Sequence, residues 1–420
     1  MQRTWDLTVH NANLDGTGEL VNAGILDGKI AVIQAEELAP GSVAVDAAGA
    51  MLSPALIDPH FHLENALLGH VVNASGTLRE AIQLYAAVKR DMSRADIIRR
   101  ASAALREAIA NGTLWLRNHV DIDQVAGLRL LDAIVEVRDL FAGVIDIQIV
   151  AFPQLGLARN AAAVDLMWQA MERGAHVVGG MPHGERDMAD AARHIEIAFR
   201  IAQAHDADVD MHVDETDDPY WHTLELLAEQ TLATGWQGRV AAGHCCAMAR
   251  WDDALAARVI DKVRQAGIHI ITNAPVNLLL QGRGDRQPVA RGITRVRELL
   301  DAGVNVTCGQ DDLMNMFYPF GRMDMLEVAN FVAHAAHLSA PAHVRAAFDM
   351  PRYRAAQVLG LRDYGLHQGA AANLVLIDAA SPVEALRRQP LRSLVIRQGQ
   401  VLVRNRRETS YAAHVPLGTA

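Results

Sequence analysis

Eight short apolar runs separated by segments of helical period predict an α/β protein. The expected fold is a (β/α)8 TIM-like barrel with a small composite β-sandwich formed by the N- and C-terminal segments. Two further observations support it. The eight runs are continuous in hydrophobicity, as strands of a parallel sheet buried on both faces must be. The first and last segments break the β/α alternation with closely spaced β-type runs that suit pairing with each other.

The N-terminal part of the sandwich is expected over 1–55, from DLTVHNANL, GILDGKIAVIQ and SVAVDAAGAML, with Asp27-Gly28 placed to close a two-residue hairpin. The barrel is expected over 56–365. Its strands are ALIDPHFH, TLWLRNHVDI, DIQIVAF, HVVGGMP, DVDMHVDE, RVAAGH, IHIITNAP and VNVTCGQDD, with helices such as SRADIIRRASAALREAIANG and DMADAARHIEIAFRIAQAHD between them. The C-terminal part, 366–420, contributes ANLVLIDA, SLVIRQG and QVLVRN.

Composition narrows the function. Of 420 residues 50% are hydrophobic and 21% charged, enough to build a core and exclude general disorder. The net charge of −10, without a long basic run, argues against a nucleic-acid partner. Cys245, Cys246 and Cys308 are too few for a disulfide framework. The N-terminus lacks the apolar stretch of a signal peptide, and no run reaches membrane-spanning length. A cytoplasmic protein with no membrane partner is expected.

The polar residues fall at strand ends, where barrels of this kind place their chemistry. Strand one ends in His60-Phe61-His62, strand two in His119, strand three in Gln154, strand five in His212 with Glu215, strand six in His244 and strand eight in Asp311-Asp312. His60 and His62, two apart on a strand, point the same way and can share one ion. His212 is placed to join them, with Glu215 as a proton-shuttling carboxylate over the substrate. Asp311 can complete the ligand set and accept a proton from water, leaving Asp312 as a substrate contact. His119 either lines the pocket or hydrogen-bonds within the upper barrel, and the structural role is favoured. Cys245 and Cys246 are read as small buried thiols rather than ligands. A lysine bridging two metals would sit at a strand end. Lys29 lies in the N-terminal β-region and Lys89 and Lys262 in helical segments, so a mononuclear site is expected.

These residues lie in segments that resemble the amidohydrolase superfamily and, within it, the bacterial cytosine deaminase group: DPHFHL, SGTL, RNHVDI, IDIQIVAFPQ, DADVDMHVDETDD, GHCCAM, NLLLQGR, RGITRVRELLDAGVNV and GQDDLMNMFYPFG. The resemblance implies one divalent ion per chain, Fe(II) or Zn(II), held by His60, His62, His212 and Asp311. His244 would orient or deprotonate the attacking water, and Glu215 would protonate the ring nitrogen beside the reacting carbon. Gln154 would hold the amide edge of a pyrimidine, with Asp312, Phe317 and Leu78 as further substrate contacts. The implied activity is hydrolytic deamination of cytosine or a related aminopyrimidine such as 5-methylcytosine, a metal-activated hydroxide displacing ammonia. The implied partners are a small heterocyclic substrate and further copies of the chain in a homo-oligomer.

The chain departs from the cytosine enzymes at Glu64, in LLGHVVNASGTL, and at Gln310, Phe317 and Leu155, the last two suggesting a smaller or more apolar pocket wall. Release of an alkylamine or ammonia from an s-triazine, as by N-isopropylammelide hydrolases, is the alternative activity. A barrel without catalysis is a third reading, disfavoured because every ligand position is filled.

Overall fold

The computed structural model describes residues 5–412. Asp27 and Gly28 both adopt positive φ, 50° and 74°, the signature of a type I′ turn whose twist matches that of the strands it joins. They connect β2 (Leu20–Leu26) to β3 (Lys29–Gln34), with Leu26 opposite Lys29. The hairpin expected from Asp27-Gly28 is therefore present. Likewise SVAVDAAGAML splits into β4 (Val43–Asp46) and β5 (Met51–Pro54).

β1 (Leu7–Leu14) forks between them, its first half pairing with β4 and its end with β5. Beyond β5 the sheet continues through β14 (Leu374–Ile377), β15 (Arg392–Arg397) and β16 (Gln400–Arg404), all from the C-terminal segment. The two chain ends thus build a single hydrogen-bonded sheet. Leu7, Val9 and Ile25 from one arm meet Leu374, Leu376 and Ile396 from the other in one apolar cluster.

The barrel comprises β6 (Leu56–Phe61), β7 (Thr113–Asp121), β8 (Asp146–Phe152), β9 (Val177–Gly180), β10 (Asp208–Val213), β11 (Val240–His244), β12 (His269–Thr272) and β13 (Val306–Cys308), each parallel to the next. All eight coincide with runs read from the sequence. Every residue of β7, β9 and β11 is buried, which is why their polarity does not alternate. A parallel bridge between Phe61 and Asp311 joins the last strand region to the first. The helices Arg94–Ala110 and Met188–Ala204 start at Ser93 and Asp187, whose side chains accept from N–H groups of their first turns. Among the described residues no helix is long and apolar enough to cross a membrane.

Buried arginines fasten the terminal sheet to the barrel. Arg352, fully buried, pairs with Asp15 and Asp349 and donates to Ser53 Oγ at 3.0 Å. Arg392 on β15 pairs with Asp324 at 2.6 Å, neither exposed. Asp15 and Asp349 are 14% and 20% exposed and also pair with Arg345, so removing Arg352 takes away buried charged hydrogen bonds without leaving either carboxylate alone. Arg352→Ala is expected to cost about 1.5–3 kcal/mol in urea unfolding; a loss below about 1 kcal/mol would show that the junction does not depend on it.

Candidate metal centre and active site

At the C-terminal mouth of the barrel four side chains from three strand regions converge. His60 Nε2 lies 3.3 Å and His62 Nε2 3.1 Å from His212 Nε2. Asp311 Oδ1 lies 3.3 Å from His60 Nε2 and 3.6 Å from His62 Nε2. All four are buried. Tetrahedral ligands about 2.0–2.1 Å from a cation stand about 3.3 Å apart, so the spacing fits a divalent ion. The donor set, three imidazoles and one carboxylate, also fits.

Backbone geometry makes this convergence possible. Asp311 N–H donates to His60 O at 2.9 Å and His62 N–H to Asp311 O at 3.0 Å, so the bridge that closes the barrel carries three of the four ligands. Asp311 and His244 both adopt φ of 68°, a conformation costly to residues with a Cβ and found where surroundings over-determine it. Gly309 and Gly243 supply the space His60 needs. A Cβ on Gly309 would lie 2.7 Å from His60 Cβ, and one on Gly243 2.9 Å from His60 Cε1. Phe152 stacks on His212 with centroids 4.1 Å apart, fixing that ring.

The crowding shows in the protonation equilibria. Burial and the neighbouring imidazoles of His60, His244, His119 and His62 hold His212 well below its usual range. Burial would raise Asp311, but His244, His60 and His62 outweigh it and hold the carboxyl low. Burial works against protonation of His62, yet Glu64, Asp312 and Asp311 push it up to about 9. Burial, then Asp311 and Asp312, push Glu215 well above the carboxylate range. Asp312 is raised to about 7 by burial and by Asp311.

Glu215 Oε1 stands 3.3 Å from His244 Nδ1, which is 3.9 Å from Asp311 Oδ2. Two residues that sequence reasoning missed hold this trio. Asn277 Nδ2 donates to Glu215 Oε1 at 3.2 Å and lies 3.1 Å from His244 Nδ1. Asn273 Nδ2 lies 3.3 Å from His244 Nε2. A signal was present for Asn273, an amide at the polar end of the run IHIITNAP, whereas Asn277 lies beyond that run in the helix Ala274–Leu280.

The adjoining cavity is lined by His62, His212, Glu215, His244, Asp311 and Asp312, and by Gln154, Leu78 and Phe317, so every expected site residue except His60 bounds it. His60 lies beneath, within the metal cluster. Gln154 Oε1 is buried without a partner among the described residues. Tyr85 meets Phe317 edge-on at 6.1 Å.

Other expectations are corrected or refined. Leu155 is 47% exposed and does not line the cavity, because the chain turns outward after Gln154. Lys89 does follow a helix, Leu78–Val88, but its fully buried ammonium reaches the mouth and pairs with Asp121 and Asp123. A helical position therefore did not keep it from the strand ends; it stands outside the four-ligand cluster. His119 lies inside the barrel, Nε2 3.3 Å from Asp210 Oδ1, while Arg117 occupies Asp210 Oδ2 at 2.8 Å. His60, His119 and Asp210 form a second convergence there. Gln310 donates its N–H to Asp58 and its side-chain amide to Asp312 O, both at 3.2 Å. Cys245 and Cys246 are buried and free and belong to no ligand group among the described residues.

A barrel with these ligands at its mouth defines a hydrolase class, and comparison with known proteins gives the family. Residues 151–403 match the amidohydrolase family. Pterin deaminase of Rhizobium rhizogenes is 34% identical over 91% of this chain and 87% of its own length. N-isopropylammelide isopropyl amidohydrolase of Pseudomonas sp. (strain ADP) is 26% identical over 96% and 99%. The crystal structure of 5-methylcytosine deaminase from Klebsiella pneumoniae with phosphonocytosine superposes with a TM-score of 0.93 at 34% identity, covering 96% of this chain and 100% of that one. The chain belongs to the amidohydrolase family. It is a hydrolytic enzyme acting on C–N bonds of heterocycles, a deaminase of the amidohydrolase type; the family uses a divalent metal, and this chain carries a His/Asp cluster that could hold one.

Asp311→Asn and Gly309→Ala are each expected to lower metal content, measured by elemental analysis after purification in metal-supplemented medium. Full occupancy in both would contradict the ligand assignment.

Proposed function

We propose that this enzyme deaminates cytosine or a related aminopyrimidine such as 5-methylcytosine, releasing ammonia and leaving a ring carbonyl. The observation that carries this reading is the chain of contacts from Glu215 through His244 to Asp311 beside the four-ligand cluster. Similarity over nearly the whole chain to a 5-methylcytosine deaminase supports a pyrimidine.

His60, His62, His212 and Asp311 would hold a divalent cation, iron(II) or zinc on this donor set, which would supply a water of lowered pKa. The chain's own groups do the rest. His244, fixed by Asn273 and Asn277, orients the attacking water, while Asp311 takes a proton from it. Burial beside Asp311 and Asp312 keeps Glu215 protonated, so it can deliver a proton to the ring nitrogen adjoining the reacting carbon. Gln154 holds the amide edge of the ring through its side-chain amide. Leu78 and Phe317 cover the ring faces and exclude water. Collapse of the tetrahedral adduct, with the proton taken by Asp311 passed to the leaving nitrogen and the hydroxyl proton returned to Glu215, gives ammonia and the ring carbonyl.

Ammonia release from metal-loaded protein tests this against cytosine, 5-methylcytosine, isocytosine, pterin and ammelide-type triazines. Release from cytosine or 5-methylcytosine is expected. Turnover confined to a triazine or a pterin would replace the substrate class. Glu215→Gln is expected to retain metal and lose about 10²–10⁴ in turnover; undiminished activity would remove Glu215 from the proton path.

A further inference from the structure

The wall across the cavity from Glu215 takes no part in the chemistry above. Glu215 and His244 stand at the ends of the fifth and sixth barrel strands, β10 and β11, whereas Glu64 and Asp121 stand at the ends of the first and second, β6 and β7. In an eight-stranded barrel these positions face each other. Glu64 and Asp121 line the cavity and are 0% and 1% exposed.

Each carboxylate is anchored through one oxygen only. Glu64 Oε1 accepts from the Tyr85 hydroxyl and from Asp121 N–H, both at 3.4 Å, and lies 3.8 Å from His62 Nδ1. Asp121 Oδ2 accepts from the buried Lys89 ammonium. The other two oxygens, Glu64 Oε2 and Asp121 Oδ1, have no hydrogen-bond partner among the described residues. Buried polar atoms are almost always paired, and a bare one is costly. A ligand that brings N–H donors to this wall supplies what the protein does not. A ring carbonyl placed there would instead face two carboxylates. One exocyclic amino group offers two N–H bonds, one for each free oxygen.

We propose that Glu64 and Asp121 form a recognition subsite for an amino group, and that the preferred substrate is a diamino heterocycle. One amine leaves at Glu215 while the second is held at this wall. The orientation rests on the deaminase reading given above. A ring lacking the second amine still reaches Glu215 but leaves both oxygens unpaired.

An isosteric pair of rings tests the subsite: 4,6-diamino-2-oxopyrimidine and 4-amino-2,6-dioxopyrimidine, which differ by one amino group exchanged for a carbonyl. Their affinities for metal-loaded protein carrying Glu215→Gln, which suppresses turnover, are measured by calorimetry. The diamino ring is expected to bind at least tenfold more tightly. Adding Glu64→Gln or Asp121→Asn, each of which supplies an N–H donor, should reduce that preference below threefold and improve binding of the dioxo ring. Equal binding of the two rings, or a preference unchanged in both added variants, overturns the subsite. Should Glu64→Gln fail to fold, Asp121→Asn and the preference in the Glu215→Gln protein decide. Ammonia release by wild-type protein is followed in parallel. A retained ring preference without ammonia from any ring supports the subsite and overturns the deaminase reading.

Discussion

The structure turns on the seam where the barrel closes. Two backbone hydrogen bonds, from Asp311 to His60 and from His62 to Asp311, join the eighth strand region to the first. The same residues bring three of the four metal ligands together. Fold closure and ligand convergence are therefore one event, and a disturbance at Gly309 or at the left-handed Asp311 backbone acts on both. The terminal sheet serves this arrangement from outside, gripping the barrel through Arg352 and Arg392.

Packing three imidazoles and several carboxylates at one buried point is electrostatically costly, and the cost is resolved by division of labour. Asp311 stays ionised because imidazoles surround it, whereas burial, and then Asp311 and Asp312 beside it, push Glu215 towards the acid form. Two neighbouring carboxyls whose environments push them in opposite directions are the arrangement that assigns acid and base roles at neutral pH. Behind them, Asn277 ties Glu215 to His244 without adding charge.

Much of this was legible in the sequence, for physical reasons. Strands buried on both faces must be uniformly apolar, so β6 to β13 were recognisable as runs, and a histidine or aspartate ending such a run was conspicuous. His60, His62, His212, Glu215, His244 and Asp311 all came from that rule. It failed where the informative contact comes from outside a strand. Lys89 follows a helix and gives no hint that its ammonium reaches Asp121 and Asp123. Asn277 lies within the helix Ala274–Leu280, where an amide reads as an ordinary polar residue. Leu155 was misplaced because one residue beyond a strand end the chain can turn either way. The forked pairing of β1 with β4 and β5 follows from register, which hydrophobic pattern does not record.

Titration of metal-free protein with zinc or iron(II), following ammonia release from an aminopyrimidine at each addition, tests the central claim most directly. Activity absent at the start and saturating at one ion per chain is the predicted result. Activity undiminished in the metal-free protein, or saturating only at two ions per chain, would contradict a single centre built from His60, His62, His212 and Asp311.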